Sequence, residues 1–407
     1  MHFVAMVAAR ILEPDSKLAT TRWWHTTTLP AALGVSDADE DALYEAMDWL
    51  LARQDRIEQK LAARHLRPGG FVLYDLTSSY FEGTTCPLAA FGHNRDGKRG
   101  KLQVNYGLLT DARGCPVAVS VFKGNTGDPP TLRPAVERVR ERFGIEHFVV
   151  VGDRGMISQT QITALKALAG VDWITALKTG AIRALVAEGH VQLGLFDERN
   201  LFEVSHPDFP GERLVACRNP ELAKLRAHKR QALLAATGTE LEKVRGMVVR
   251  GTLRGCDAIG VRVGKVVNKY KVAKHVQLEI QDDRFDFQID EARVAAEAAL
   301  DGIYVIRTSV PSARLDAAEA VRHYKRLSDV ERAFRSLKTI DLKVRPIRHR
   351  LEPRVRAHIF LCMLAYYVEW HMRDVWRSRP TFRTSRGAFG DRVVGSAAVS
   401  AAGLRPR

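Results

Sequence analysis

Apolar residues recur at three- and four-residue intervals from Met1 to about Arg67. The pattern is clearest at Leu43, Met47, Leu50, Leu51, Ile57 and Leu61, behind a Ser36-x-x-Asp39 cap, and it predicts helices. Arg67-Pro-Gly-Gly breaks that period. Three strand patterns follow: Phe71 to Phe81, Lys101 to Leu109 with Leu102, Val104, Tyr106 and Leu108 on one face, and Val117, Val119 and Val121 in alternation. They read as an antiparallel meander. Leu132, Val136, Val139 and Phe143 then mark a helix, His147 to Val151 an apolar strand, a Ser158-x-x-Gln161 cap a second helix, and Val171 to Leu177 a further strand.

The order βββ-α-β-α-β predicts an α/β fold, a mixed sheet with flanking helices of the ribonuclease H type. Between about Ala181 and Ser309 the pattern changes to short strands, at Leu214 to Cys217, Gly264 to Val272, His275 to Gln281 and Ile303 to Arg307, around a charged helix from Pro220 to about Val249. This stretch reads as a β-rich insertion subdomain. Helices resume near Ala313, one covering His323 to Lys338 and another starting at Pro353, a residue suited to a first helical turn. The expected organisation is a helical N-terminal region at 1–67, a first part of the core at 68–180, the insertion at 181–309, a second part of the core at 310–376 and an irregular tail at 377–407.

A chain of 407 residues has room for two or three domains. Lys and Arg outnumber Asp and Glu by 62 to 47, for a net charge of +15, which favours a polyanionic partner such as nucleic acid. The five cysteines are scattered without a CxxC pair, so they outline neither a zinc finger nor a disulfide framework, and a reducing cytosol is expected. The N-terminal segment has no basic leader. No apolar run reaches the roughly 18 residues of a membrane span, and Ile359 to Val368, cut short by Glu369, reads as a buried helix.

Three acidic residues stand out by position. Asp75 lies inside the first strand, in Leu73-Tyr-Asp-Leu-Thr, where a carboxylate is costly without a cation. Asp153 ends the fourth strand, in Val151-Gly-Asp-Arg-Gly-Met. In the predicted fold these strands are neighbours, so the two carboxylates face each other and demand a metal or a shared proton. Glu331 sits on the predicted helix through Tyr324 and Lys338, and at about 100° per residue Tyr324, Leu327, Glu331, Arg335 and Lys338 share one face. Two aspartates and a glutamate are hard oxygen ligands for Mg²⁺, with Mn²⁺ as a substitute. Two such ions would activate a water or a 3′ hydroxyl and stabilise the leaving oxygen of a phosphodiester.

Tyr324, Arg335 and Lys338 would then hold DNA backbone phosphates beside the metals. The run Lys343, Arg345, Arg348, Arg350, Arg354 and Arg356 follows closely, and Arg345, Arg348 and Arg350 are expected backbone contacts. The basic segment from Phe91 to Lys101 reads equally as a phosphate-binding loop or a solvated hairpin loop. Asp128 reads as a turn and helix start, Trp173 as core and His93 as surface.

At these residues the chain resembles the DDE transposases of bacterial insertion sequences, specifically the IS-four superfamily. The segments that carry the resemblance are Tyr74-Asp-Leu-Thr-Ser78 and Val330-Glu-Arg-Ala-Phe-Arg-Ser-Leu-Lys338, and it extends over roughly Ala5 to Asp374. The family signature is Tyr, two residues, Arg, three residues, Glu, six residues, Lys. Tyr324, Glu331 and Lys338 match it, whereas Leu327 stands at the Arg position and Arg335, one turn beyond Glu331, could supply that charge. The resemblance implies hydrolysis at transposon ends followed by strand transfer into target double-stranded DNA. It also implies a homodimer in the synaptic complex, a β-rich insertion between the second Asp and the Glu, and a bacterial cytoplasm beside the nucleoid. Family members carry a longer region before the Ala5-Met-Val-Ala segment, and the tail has no apolar period, so a truncated copy is expected. That supports an alternative, a non-transposing DNA-binding remnant that interferes with intact transposase. A cellular ribonuclease H-like nuclease fits less well, because it has no role for the insertion or the Tyr-Glu-Lys spacing.

Overall fold

The computed structural model describes residues 1–194, 200–339 and 341–378; the expected tail lies, beyond residue 378, outside the described residues. The helical period of the N-terminal region becomes five helices: α1 (His2–Leu12), α2 (Lys17–Trp24), α3 (Leu29–Ala32), α4 (Glu40–Leu51) and α5 (Gln54–His65). Leu43, Met47 and Leu50 form the buried side of α4, and its cap is Asp39 rather than Ser36, accepting from the Ala42 amide at 2.8 Å.

The meander is β1 (Phe71–Tyr80), β2 (Gln103–Asp111) and β3 (Pro116–Lys123), antiparallel throughout. After it come α6 (Pro129–Glu137), extended by a π-helical turn over Arg138–Arg142, then β4 (Phe148–Val151), α7 (Gln159–Lys166) and β5 (Val171–Ala176). β4 runs parallel to both β1 and β5, giving the strand order β3-β2-β1-β4-β5. This is the ribonuclease H-like mixed sheet. Every residue of β2 is buried, as expected of a strand covered on both faces, which is why its sequence is nearly continuous in apolar and small polar residues. Gly107 in β2 is required by packing: a Cβ there would lie 2.2 Å from the Tyr74 hydroxyl.

Two compact units divide the chain. The first comprises Met1–Thr175, Thr308–Leu315 and the chain from Glu319 onward, so the helices of 1–67 are part of the unit that carries the sheet rather than a separate module. The second comprises Ala176–Arg307 with Asp316–Ala318. It contains α8 (Thr179–Ala187), β6 (Leu201–Val204), β7 (Arg213–Arg218), α9 (Pro220–Val249), α10 (Cys256–Tyr270), β8 (Val276–Ile280), β9 (Phe285–Ile289) and α11 (Glu291–Ala298), and β10 (Ile303–Thr308) closes it.

The expectation of a β-rich insertion is corrected here. Two helices of 30 and 15 residues dominate the second unit, and the expected strand at Gly264 to Val272 is mostly the second half of α10. Gly264, Val266, Val267 and Val272 mimic strand composition. The buried set is Ile259, Val263, Val266 and Val267, a helical stripe packed on Leu241, Val244 and Val248 of α9, and tertiary packing overrides β-branched propensity.

Back in the first unit, the expected single helix over His323 to Lys338 is two. α12 (Ala317–Lys325) ends at Arg326, whose amide is shared between the Arg322 and His323 carbonyls, and α13 (Leu327–Lys338) starts afresh. α14 (Glu352–Ser378) has Pro353 in its first turn and packs against α1 and α4. Among the described residues no helix is long and apolar enough to cross a membrane.

A Cβ added at Gly264 meets nothing within 4 Å. Because that residue is helical, Gly264→Ala should raise stability by about 0.5–1 kcal/mol and by more than Gly264→Val does. Urea unfolding of both variants checks this, and a larger gain from Val would restore the strand reading.

Candidate active site

Side chains alternate along β1, so its odd-numbered residues share one face. Phe71 stacks on His323 of α12 with ring centroids 3.5 Å apart, and Thr77 lies opposite Tyr106, whose ring meets the edge of Phe334 of α13 at 5.9 Å. Asp75 stands between these two contacts on the face covered by α12 and α13. In the parallel pairing of β1 with β4, Leu73 is level with Val151, and Asp75 and Asp153 each lie two residues further on. The Asp153 carboxylate accepts from the amides of Gly155 at 3.0 Å and Met156 at 2.6 Å, closing the tight turn after β4. Asp75 accepts from the Leu76 amide at 2.8 Å. In each case one carboxylate oxygen is tied to backbone and the other has no such bond.

Glu331 lies on α13 at the edge of the buried stripe of Leu327, Val330, Phe334 and Leu337. The electrostatics join it to the aspartates. Burial raises the Asp75 carboxyl from the ordinary 3.8 to about 7, and the charges of Asp153 and Glu331 add to that rise. Partial burial also raises Glu331, with Arg335 opposing and Asp153 adding. Tyr324 is pushed up to about 12 by burial and then by Asp153, with Glu331 and Asp75 contributing and Arg154 opposing. The phenol is therefore protonated and stands among the carboxylates as a donor. None of the three carboxylates forms an ion pair among the described residues. Their oxygens are not all within 4.8 Å of one another.

The other expected residues are placed differently. Lys338 is not free on the helix face: its Nζ pairs at 3.0 Å with Asp96, and Arg345 pairs with the same carboxylate at 2.5 Å. Asp96 is almost fully buried and also accepts from the Tyr80 amide at the end of β1. Sequence reading passed over Asp96 because it sits in the basic 91–101 loop, where a lone acid draws no notice. Arg95 of that loop pairs with Asp128 at the start of α6, and Trp173 is core. Leu327, at the signature's Arg position, is buried, whereas Arg335 is exposed beside Glu331.

Arg348 is exposed and paired with Glu82 at 3.2 Å, and Arg350 is exposed. Arg354 lies over the Tyr44 ring, and Arg356 pairs with Glu352. Arg345 and Arg348 also line a pocket of about 280 Å³ together with Arg10, Lys17 and Lys343. Lys17 is buried, its ammonium lowered to about 7 by burial and then by Arg10. Neither Arg10 nor Lys17 was foreseen, because isolated cations on N-terminal helices look like solvated faces.

The family model described as Transposase DDE domain matches residues 68–368. The chain belongs to this family. The sequence matches no curated protein. Among solved structures, the chain is similar to the piggyBac transposase in a cryo-EM synaptic complex with hairpin DNA, at 10% identity and a TM-score of 0.41, covering 93% of this chain and 66% of that one. It is also similar to the Mos1 transposase in a paired-end complex with a left transposon end, at 10% identity and a TM-score of 0.19, covering 43% and 57%. The chain thus spans less than two thirds of either.

Transposases of the DDE family work with divalent metal ions, and the donors here fit one. They are hard oxygens, four of the six unused by the backbone, with the proton affinity of Asp75 and Glu331 raised and no ion pair to any of the three among the described residues.

A carboxyl whose proton affinity is raised by folding favours the fold at low pH and loses that contribution as pH rises through its folded value. Metal-free protein should therefore lose stability between about pH 4 and pH 7 on account of Asp75. Asp75→Asn removes the charge, so at pH 8 in chelator it should melt about 3 °C or more above the native chain, with the gap closing by pH 4. Calorimetric melts that run in parallel at both pH values would contradict the assignment.

Proposed function

We propose that this chain is a transposase of the bacterial IS-four branch, cutting DNA at transposon ends and joining the freed strand to target DNA. The observation that carries the reading is the mutual electrostatic coupling of Asp75, Asp153 and Glu331, from β1, the end of β4 and α13, with none of them in an ion pair among the described residues. In this reading the three carboxylates hold two Mg²⁺ ions, which supply Lewis acidity to the attacking and leaving oxygens. Hydrolysis breaks the bond between phosphorus and the 3′ oxygen and leaves a 3′ hydroxyl. In strand transfer that hydroxyl attacks a target phosphodiester and displaces another 3′ oxygen.

The protonated Tyr324 donates to a non-bridging phosphate oxygen, and Arg335 sets its charge beside Glu331 in place of the signature Arg. Lys338 and Arg345 act from their Asp96 anchor, while Arg348 and Arg350 contact backbone phosphates further from the cut. Double-stranded DNA is the partner, and cleavage at two ends calls for a homodimer.

The test is Mn²⁺ calorimetry with a short duplex present, joined to cleavage of DNA that flanks the chain's own gene. Asp75→Asn, Asp153→Asn and Glu331→Gln should each weaken Mn²⁺ binding by about tenfold or more and abolish cleavage. Binding indifferent to all three substitutions sinks the assignment. Metal and DNA binding without any cleavage by the native chain would favour the remnant that interferes with intact transposase.

Arg335→Ala should slow cleavage by about tenfold or more with Mn²⁺ affinity unchanged, and full activity in that variant would remove Arg335 from the reading. Leu327→Arg should lower stability rather than raise activity, because the new guanidinium would be placed in a buried position.

A further inference from the structure

A second cluster of ligating side chains lies in the first unit and includes none of the three carboxylates. His65 is the last residue of α5, Cys115 lies in the turn between β2 and β3, and His371 is on α14. The Cys115 Sγ is 3.9 Å from His65 Nε2 and 4.0 Å from His371 Nε2, and the three atoms lie within 4.8 Å of one another. A tetrahedral zinc ion, with bonds of about 2.3 Å to sulfur and 2.0–2.1 Å to nitrogen, sets sulfur and nitrogen about 3.6 Å apart. The two sulfur–nitrogen distances exceed that by only a few tenths of an ångström. We propose that His65, Cys115 and His371 bind a zinc ion that clips α5 and α14 to the β2–β3 turn.

The surroundings suit that ligand. Partial burial lowers the proton affinity of both imidazoles, and Cys115 is fully enclosed, so a metal would be needed to hold its thiolate. Asp111 accepts from the Cys115 amide at 2.9 Å, orienting that ligand from behind, and Arg113, paired with Asp111, stands 3.5 Å from the other nitrogen of His65. Arg64 and Arg113 bring positive charge close, and Asp111 and Asp374 oppose it. The Tyr367 hydroxyl, 3.0 Å from His65 Nε2, flanks the fourth position, which is left for water. A sulfur and two imidazoles select Zn²⁺ over Mg²⁺. The clip joins residues 50 and 256 positions apart in sequence, where closing a long loop adds most to stability.

The probe is Co²⁺ alone, titrated into the metal-free full chain, which should take up one ion with a thiolate-to-cobalt charge-transfer band and tetrahedral visible bands, both displaced by Zn²⁺. Asp75→Asn and Cys256→Ser, the latter removing the exposed thiol, should keep the bands. Cys115→Ser and His371→Ala should lose the charge-transfer band or weaken Co²⁺ binding by at least tenfold, and Zn²⁺ should raise the melting temperature of the native chain but not of these variants. A native chain without the band, or a band that survives Cys115→Ser or vanishes in Cys256→Ser, overturns the proposal. Should Cys115→Ser fail to fold, the native and Cys256→Ser titrations still decide it.

Discussion

Holding Asp75 and Glu331 beside Asp153 costs folding free energy, because burial and repulsion both favour the protonated forms of Asp75 and Glu331. The architecture of the first unit answers that cost with rigidity. β1 is paired along its whole length with β2 and at its start with β4, so Asp75 cannot retreat without breaking a ladder. Asp153 is fixed by two amides of its own turn, and Glu331 by a helix whose apolar stripe is seated on the sheet. Raised carboxyl proton affinities of this kind cluster at functional sites.

The Asp96 cluster extends the same logic. One nearly buried carboxylate gathers Lys338 from the end of α13, Arg345 from the segment after it and the Tyr80 amide from the end of β1. Buried ion pairs add little net stability against an apolar alternative, but removing one partner leaves an uncompensated charge. Their use here is positional: they fix the last turn of α13 against β1, and thereby the approach of Glu331 to Asp75. Lys338 is thus built into the frame that holds α13 against β1.

How far the sequence could be read follows from the range of the forces involved. Asp75 was legible because an acid inside an apolar strand has few structural uses, and Glu331 because helical spacing is local arithmetic. The meander and the two βα steps were equally visible as changes of period. The α10 segment was not, since β-branched residues and glycines obscured a helical stripe that only α9 makes worth burying. The break at Arg326 also escaped, because tertiary seating of α12 and α13 separates two helices whose sequence runs on without a Pro or Gly. Asp96 and the His65, Cys115, His371 cluster depend on residues far apart in the chain, and periodicity carries no information about such meetings.

Donor chemistry keeps the two candidate metal sites apart. Three carboxylates present hard oxygens in an open arrangement that leaves positions for water and for phosphate oxygens, the preference of Mg²⁺ and Mn²⁺. A thiolate and two imidazoles form a softer set with little charge, in which Mg²⁺ would have to give up waters for ligands it binds weakly. On the proposed reading the first arrangement would take its ions together with DNA. The second has partly buried imidazoles beside an enclosed thiol, so its ion would bind with or without DNA. An ion at the carboxylates therefore serves turnover, whereas one at the clip would hold α5, the β2–β3 turn and α14 in place around the sheet.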